Sequence, residues 1–166
     1  MITATLKSVT PGDIRAMLAC YSDERVAQLW AGRERLAARD IMSLGIPAHD
    51  RVWCLVRMLN APGRAAFAQW CADRASNAPT IPGANRATLS AFAAASARDY
   101  AEVVIAGDVT AAPKAADYAI EAADYAVDAA CGWASYDNYE YCADAERTVE
   151  RRVQLNELVR MIEASE

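Results

Sequence analysis

Apolar residues recur every three or four positions along most of this 166-residue chain, and no stretch alternates apolar with polar residues long enough to make a convincing strand. The pattern therefore predicts helices. Thr10, Pro11 and Asp13 form a helix start: a capping hydroxyl, a proline suited to the first turn and an acid at the positive end of the dipole. Ile14, Met17, Leu18 and Tyr21 follow at helical spacing. Ser22 opens a second helix with Val26, Leu29 and Trp30 on its buried side, expected to run past Gly32 and Leu36 toward Met42 and to end at Gly45.

Pro47 begins a segment in which Val52, Leu55, Val56 and Leu59 line one face while Trp53 and Cys54 widen it. A helix apolar around so much of its circumference belongs at the centre of the fold. Asn60 to Gly63 reads as a turn, and the helix after it places Phe67, Trp70, Cys71 and Arg74 at spacings of three and four. Residues 76–85, SNAPTIPGAN, hold two prolines and a glycine without periodicity and read as a long loop. A helix is predicted from Arg86 to Ala106, stopped by Gly107 and Asp108. The chain restarts at Thr110, with Pro113 in the first turn. Gly132 and the run SYDNYE interrupt the next helix, and a final amphipathic helix carries Val149, Val153, Leu155, Leu158, Val159 and Ile162. The expected fold is a single all-α domain over residues 1–166, a helical bundle or stacked hairpins. Residues 1–75 form the N-terminal helices, 76–85 the loop and 86–166 the long C-terminal helices.

Composition changes this picture in one respect. The hydrophobic fraction is 54%, but much of it is alanine, which favours helix and buries little area. Two consecutive heptads, AADYAIE and AADYAVD at 115–128, concentrate that alanine. At about 100° per residue, Asp117, Glu121, Asp124 and Asp128 fall on one stripe spanning about 60°. Tyr118 and Tyr125 flank the stripe on one side, Ile120 and Val127 on the other, and Ala119, Ala123, Ala126 and Ala130 lie opposite, small enough for a neighbouring helix to approach closely.

Charge is distributed unevenly. Residues 1–100 carry twelve Lys and Arg against eight acids, and residues 101–146 carry one Lys against ten acids. Apart from Lys114 no nearby basic residue in the sequence neutralises the stripe, so its acids are expected to face water or a cationic partner. The same charge disfavours direct contact with nucleic acid. Trp133 and the tyrosines of YDNYEY at 136–141 add either a contact patch or a cover for the end of the bundle. The candidate partner-binding residues are Asp117, Glu121, Asp124, Asp128, Tyr118, Tyr125, Asp137, Tyr139 and Glu140.

Catalytic motifs are missing. The five cysteines form no C-x-x-C pair and read as free core thiols. The lone His49 is five residues from Cys54, a spacing that puts the two on different sides of one helix. Dispersed His and Cys suit no zinc site, and no Glu-x-x-His pair, phosphate-binding loop or nucleophile elbow occurs. No catalytic residue, cofactor or metal is expected. Of Arg51, Arg57, Arg64, Arg74 and Arg86, one or two are expected to pair with the acidic segment. The N-terminus shows no secretory pattern and no apolar run is long enough for a membrane span, so the cytosol is the expected compartment.

DRVWCLVRML at 50–59, AFAQWCADRA at 66–75 and the alanine-rich heptads at 115–130 together resemble a bacterial family of alanine-rich helical immunity proteins, with Asp50, Trp53, Leu55 and Arg57 matching its D-x-x-W-x-L-x-R-like segment. The resemblance implies a toxin-neutralising role. Small size, acidity and lack of motifs are also similar to phage-encoded inhibitors of bacterial defence, of the anti-CRISPR kind. The favoured expectation is a non-catalytic inhibitor of that kind, its acidic helix face mimicking nucleic acid against a basic protein surface, with the immunity protein as alternative. Two further alternatives are a small enzyme, marked by a deep pocket holding His49 with a second titratable group in hydrogen-bond reach, and a homodimer joined through the alanine face.

Overall fold

The computed structural model describes residues 4–17, 21–77, 86–130 and 141–165; the side chains at 86–87, 109, 128–130 and 141–147 lie outside the description. The first helix, α1 (Pro11–Ala16), forms as expected: Thr10 Oγ1 accepts the Asp13 amide, and Asp13 accepts the Thr10 amide at 2.8 Å, a reciprocal capping box. The second, α2 (Asp23–Trp30), is capped by Ser22 but stops well short of Met42. Ala31 and Gly32 take left-handed backbone, with φ of 48° and 78°, and that ends the helix. The chain beyond it makes a two-residue strand, β2 (Leu36–Ala37), paired antiparallel with β1 (Ser8–Val9). Strands this short leave no period-two signal in the sequence. A one-turn helix, α3 (Ala38–Met42), follows, with the Asp40 carboxylate accepting the Ala37 amide.

The central helix, α4 (Ala48–Met58), buries Val52, Leu55, Val56 and Met58 completely. The expected turn at Asn60 is the cap of α5 (Ala61–Asn77): Asn60 Oδ1 accepts the Gly63 amide at 2.9 Å. The fit is close: a methyl group at Gly63 would lie 3.0 Å from Asn60 Oδ1 and 3.3 Å from the Leu59 side chain, so both would have to give way slightly.

Of the loop expected over 76–85, Ser76 and Asn77 belong to α5 and residues 78–85 lie outside the described residues. Helix α6 (Arg86–Ile105) stops at Gly107, whose φ is 111°. A 3-10 turn (Val109–Ala111) then leads into α7 (Ala112–Ala130), and the last helix is α8 (Tyr141–Ala164). Helices α5, α6 and α7 pack on one another in an alanine-lined layer. Its interior holds Ala68 and Ala72, Ala93 and Ala97, and Ala119 and Ala123, all at most 2% exposed. Two buried polar side chains tie α7 to its neighbours: Ser90 donates to the Ala122 carbonyl at 2.9 Å and Gln154 to that of Ala123 at 2.8 Å. Ala119, Ala123 and Ala126 of the alanine face are thus covered by the domain's own helices.

Helix α8 packs against α3, α4 and α7 and joins the two ends of the chain. Leu155, Leu158, Val159 and Ile162 are buried as expected, whereas Val149 is half exposed. Lys7 donates to the carbonyls of Ile162 and Glu163 at 2.7 and 3.1 Å, placing a cation on the negative end of α8, and Arg39 grips Glu163 with two bonds. The architecture is all-α, with eight α-helices and one two-stranded pairing among the described residues. No helix among these residues is long and apolar enough to cross a membrane.

Candidate functional site

The acidic stripe of α7 lies against α4 and α8, where arginines meet it. Arg57, in the last turn of α4, lies over the Trp53 ring at 4.1 Å and donates to Asp117 at 2.5 Å. Asp124 accepts from Arg151 of α8 and from His49 of α4, the latter at 3.3 Å. Arg151 also donates to Gln154, which continues the network to the α7 backbone. Burial alone would raise the Asp124 carboxyl, but the bonds from His49 and Arg151 outweigh it and hold its pKa below the ordinary value.

Arg57 is thus one of the arginines expected to pair with the acidic segment, whereas Arg151 and His49 are not among those expected. These cations come from elements far from α7 in sequence, 60 positions for Arg57 and 27 for Arg151, which helical geometry on α7 alone cannot reveal. The tyrosines are engaged too. Tyr118 stacks on Tyr100 of α6 at 5.5 Å, with the Lys114 ammonium over the Tyr100 ring, and Tyr125 donates to Glu121 at 3.1 Å. Four of the candidate residues lie outside what is described: Asp137, Tyr139 and Glu140 altogether, and the side chain of Asp128. Of the arginines, Arg57 pairs with the stripe, Arg74 makes a two-bond pair with buried Glu150, and Arg51 and Arg64 donate to backbone carbonyls.

His49 connects the stripe to a cavity of about 360 Å³ between α1, α2, α3 and α4. Ile14, Val26, Leu29, Ile41 and Leu44 make the apolar wall, with Trp30 and Trp53 adding aromatic surface. Polar groups come from Tyr21, Asp50, His49 and Trp30. Tyr21 donates its hydroxyl to Asp50, and His49 is held from behind by Asp124. Trp30 is only 4% exposed, and its Nε1–H is buried without an acceptor among the described residues. Cys54 lines the same cavity as His49 despite their spacing, because the cavity wraps around more than one face of α4. Burial pushes the Cys54 thiol up to about 12, so it is inert at neutral pH. Cys71, the other described cysteine, is also buried and free.

Two other concavities are more polar. One, of about 680 Å³, lies among Arg51, Arg151, Arg152 and Thr148; the other, of about 430 Å³, lies among Asp13, Arg57, Arg64 and Asp117. No cluster of His, Cys, Asp and Glu among the described residues suits a metal.

Sequence reading missed Tyr21, Trp30 and Asp50 as site residues. Tyr21 and Trp30 fit a helix core pattern equally well, and 29 positions separate Tyr21 from Asp50, its partner. The resemblance to immunity proteins rests on the quoted segments alone. Comparison of the chain with protein families, with curated proteins and with solved structures finds no match.

Proposed function

We propose that this chain is a non-catalytic binding protein that takes a small, largely apolar molecule into the cavity beside His49. The observation that supports this best is the cavity itself: about 360 Å³, partly open to solvent and walled by aliphatic and indole side chains with a few polar groups. Small-molecule sites typically offer about 300–1,000 Å³ with this mixture of surfaces. The cavity also meets the condition set for a small enzyme, since Asp124 is within hydrogen-bond reach of His49. What favours binding over turnover is that the thiol in the cavity wall is no nucleophile: burial keeps Cys54 protonated at neutral pH.

The test is titration with the neutral fluorophore N-phenylnaphthylamine. Saturable one-to-one binding, lost in the cavity-filling variant Leu29→Trp at an unchanged unfolding midpoint, supports the proposal. Absence of saturable binding, or equal binding by the variant, overturns it.

A second reading keeps the chain as a protein inhibitor, of the anti-CRISPR or immunity kind, docking a basic surface on the acidic face of α7. What favours it is that the Asp117 side chain remains 62% exposed and that Glu121 meets no cation among the described residues. A nucleic-acid-handling protein or toxin that binds the wild type and not Glu121→Lys supports this reading, and equal binding to both counts against it.

A further inference from the structure

Three arginines line the groove of about 680 Å³ where α8 passes α3 and α4: Arg51 of α4, and Arg151 and Arg152 at consecutive positions of α8. No carboxylate among the described residues lines it with them. Two of the three are held in place without being fully neutralised. Arg51 donates to the Met42 carbonyl at 2.8 Å, a partner without charge. Arg151 donates to Gln154 at 2.9 Å and to Asp124, a carboxylate that it shares with His49. The Arg51 Nε–H is itself buried, so what this residue brings to the groove is positive charge rather than that bond. Arg152 is exposed and completes the set.

Like charges gathered in one concavity repel, and an anion seated among them relieves that repulsion. Guanidinium groups already positioned by the chain also lower the ordering cost of binding it. The number of cations narrows the anion. One carboxylate has two oxygens and is matched by a single guanidinium fork. A phosphate monoester carries about two negative charges and three strong acceptor oxygens, enough for more than one arginine. Met42 and Leu155 line the same groove and offer apolar surface to the rest of such a molecule. A nucleic-acid backbone, extending beyond the groove, meets a chain of net charge −5, whereas a single phosphate group stays among the arginines.

We propose that this groove binds a small organic phosphate, with the phosphate among Arg51, Arg151 and Arg152 and the apolar body against Met42 and Leu155. The groove shares no lining residue with the cavity beside His49, so this proposal is independent of the one above.

Calorimetric titration of the full chain at neutral pH with naphthyl phosphate, naphthoate and inorganic phosphate tests it. Naphthyl phosphate is expected to bind saturably and about tenfold more tightly than either of the others, with an affinity that falls as salt is added. Arg152→Gln, at an exposed position, should weaken that binding about tenfold at an unchanged unfolding midpoint. Arg25→Gln removes an equally exposed charge from α2, outside the groove, and should leave binding unchanged. Leu29→Trp, which fills the His49 cavity, should leave it unchanged as well. Absence of saturable binding overturns the proposal, as does equal weakening by the two arginine variants, which would mark attraction to charge in general. Naphthoate or inorganic phosphate binding as tightly as the ester overturns the ligand class. Loss of binding in Leu29→Trp would place the probe beside His49 and overturn the groove as its site.

Discussion

His49 Nδ1 lies 3.3 Å from Asp124 Oδ1 across 75 positions of sequence, and that contact joins the acidic helix to the cavity wall. The hydrogen bond that His49 donates to Asp124 raises the histidine pKa above 6.5 against the opposing effect of its partial burial. A raised histidine pKa contributes stability that is complete below the unfolded value and lost as pH climbs through the folded one. The lowered carboxyl of Asp124 contributes stability above about 3.8 that is lost on acidification. The pair therefore holds most strongly between about pH 4 and 6.5. Proton resonances of His49 should titrate above 6.5 in the wild type and at or below it in Asp124→Asn. An unmoved titration would show that the contact does not persist in solution.

Arg64 is a second place where structure sets an expectation. It is 4% exposed, and its guanidinium donates to the carbonyls of Val56, Arg57 and Ala112 at 3.3, 3.1 and 2.8 Å. The first two are carbonyls at the end of α4, so the cation sits at the negative end of that helix and fastens it to the start of α7. Burial pushes its pKa down to about 10, leaving it charged at neutral pH. Arg64→Ala should cost about 3 kcal/mol in urea denaturation, since it strands three buried acceptors and empties the space. Arg64→Lys should recover only part of the loss, because one ammonium cannot reproduce the planar fork.

Much of the fold was legible because its signals are local. The Thr10 cap, the stop at Gly107 and the restart before α7 each depend on residues within one turn. The extent of α2 was misread because apolar spacing continues through Leu36, while the left-handed turn at Ala31 depends on backbone that alanine rarely adopts. The candidate site was legible by half. Helical geometry places Asp117, Glu121 and Asp124 on one face and Ala119, Ala123 and Ala126 on the buried one. Arg57 is among the arginines expected to pair with the segment, but which arginine does so, and the parts played by Arg151 and His49, depend on tertiary packing, which leaves no periodic trace in the acidic segment.

The alanine face gives the sharpest test of the packing. Ala123 is fully buried in the layer formed with α5 and α6, and its carbonyl accepts a bond from Gln154 of α8. Leucine at this position needs three more carbons where helices touch through methyl groups, so Ala123→Leu should destabilise the fold by about 1–3 kcal/mol or more. Ala106→Leu, at an exposed position just beyond α6, supplies the control and should change stability by less than about 0.5 kcal/mol. Paired thermal unfolding and light scattering distinguish this from the homodimer expectation. With the alanines inside the domain, Ala123→Leu lowers the unfolding midpoint and leaves the molecular mass of the native species unchanged. A face shared between two copies would instead show a wild-type dimer that the substitution splits, with the midpoint of the separated chains close to that of Ala106→Leu.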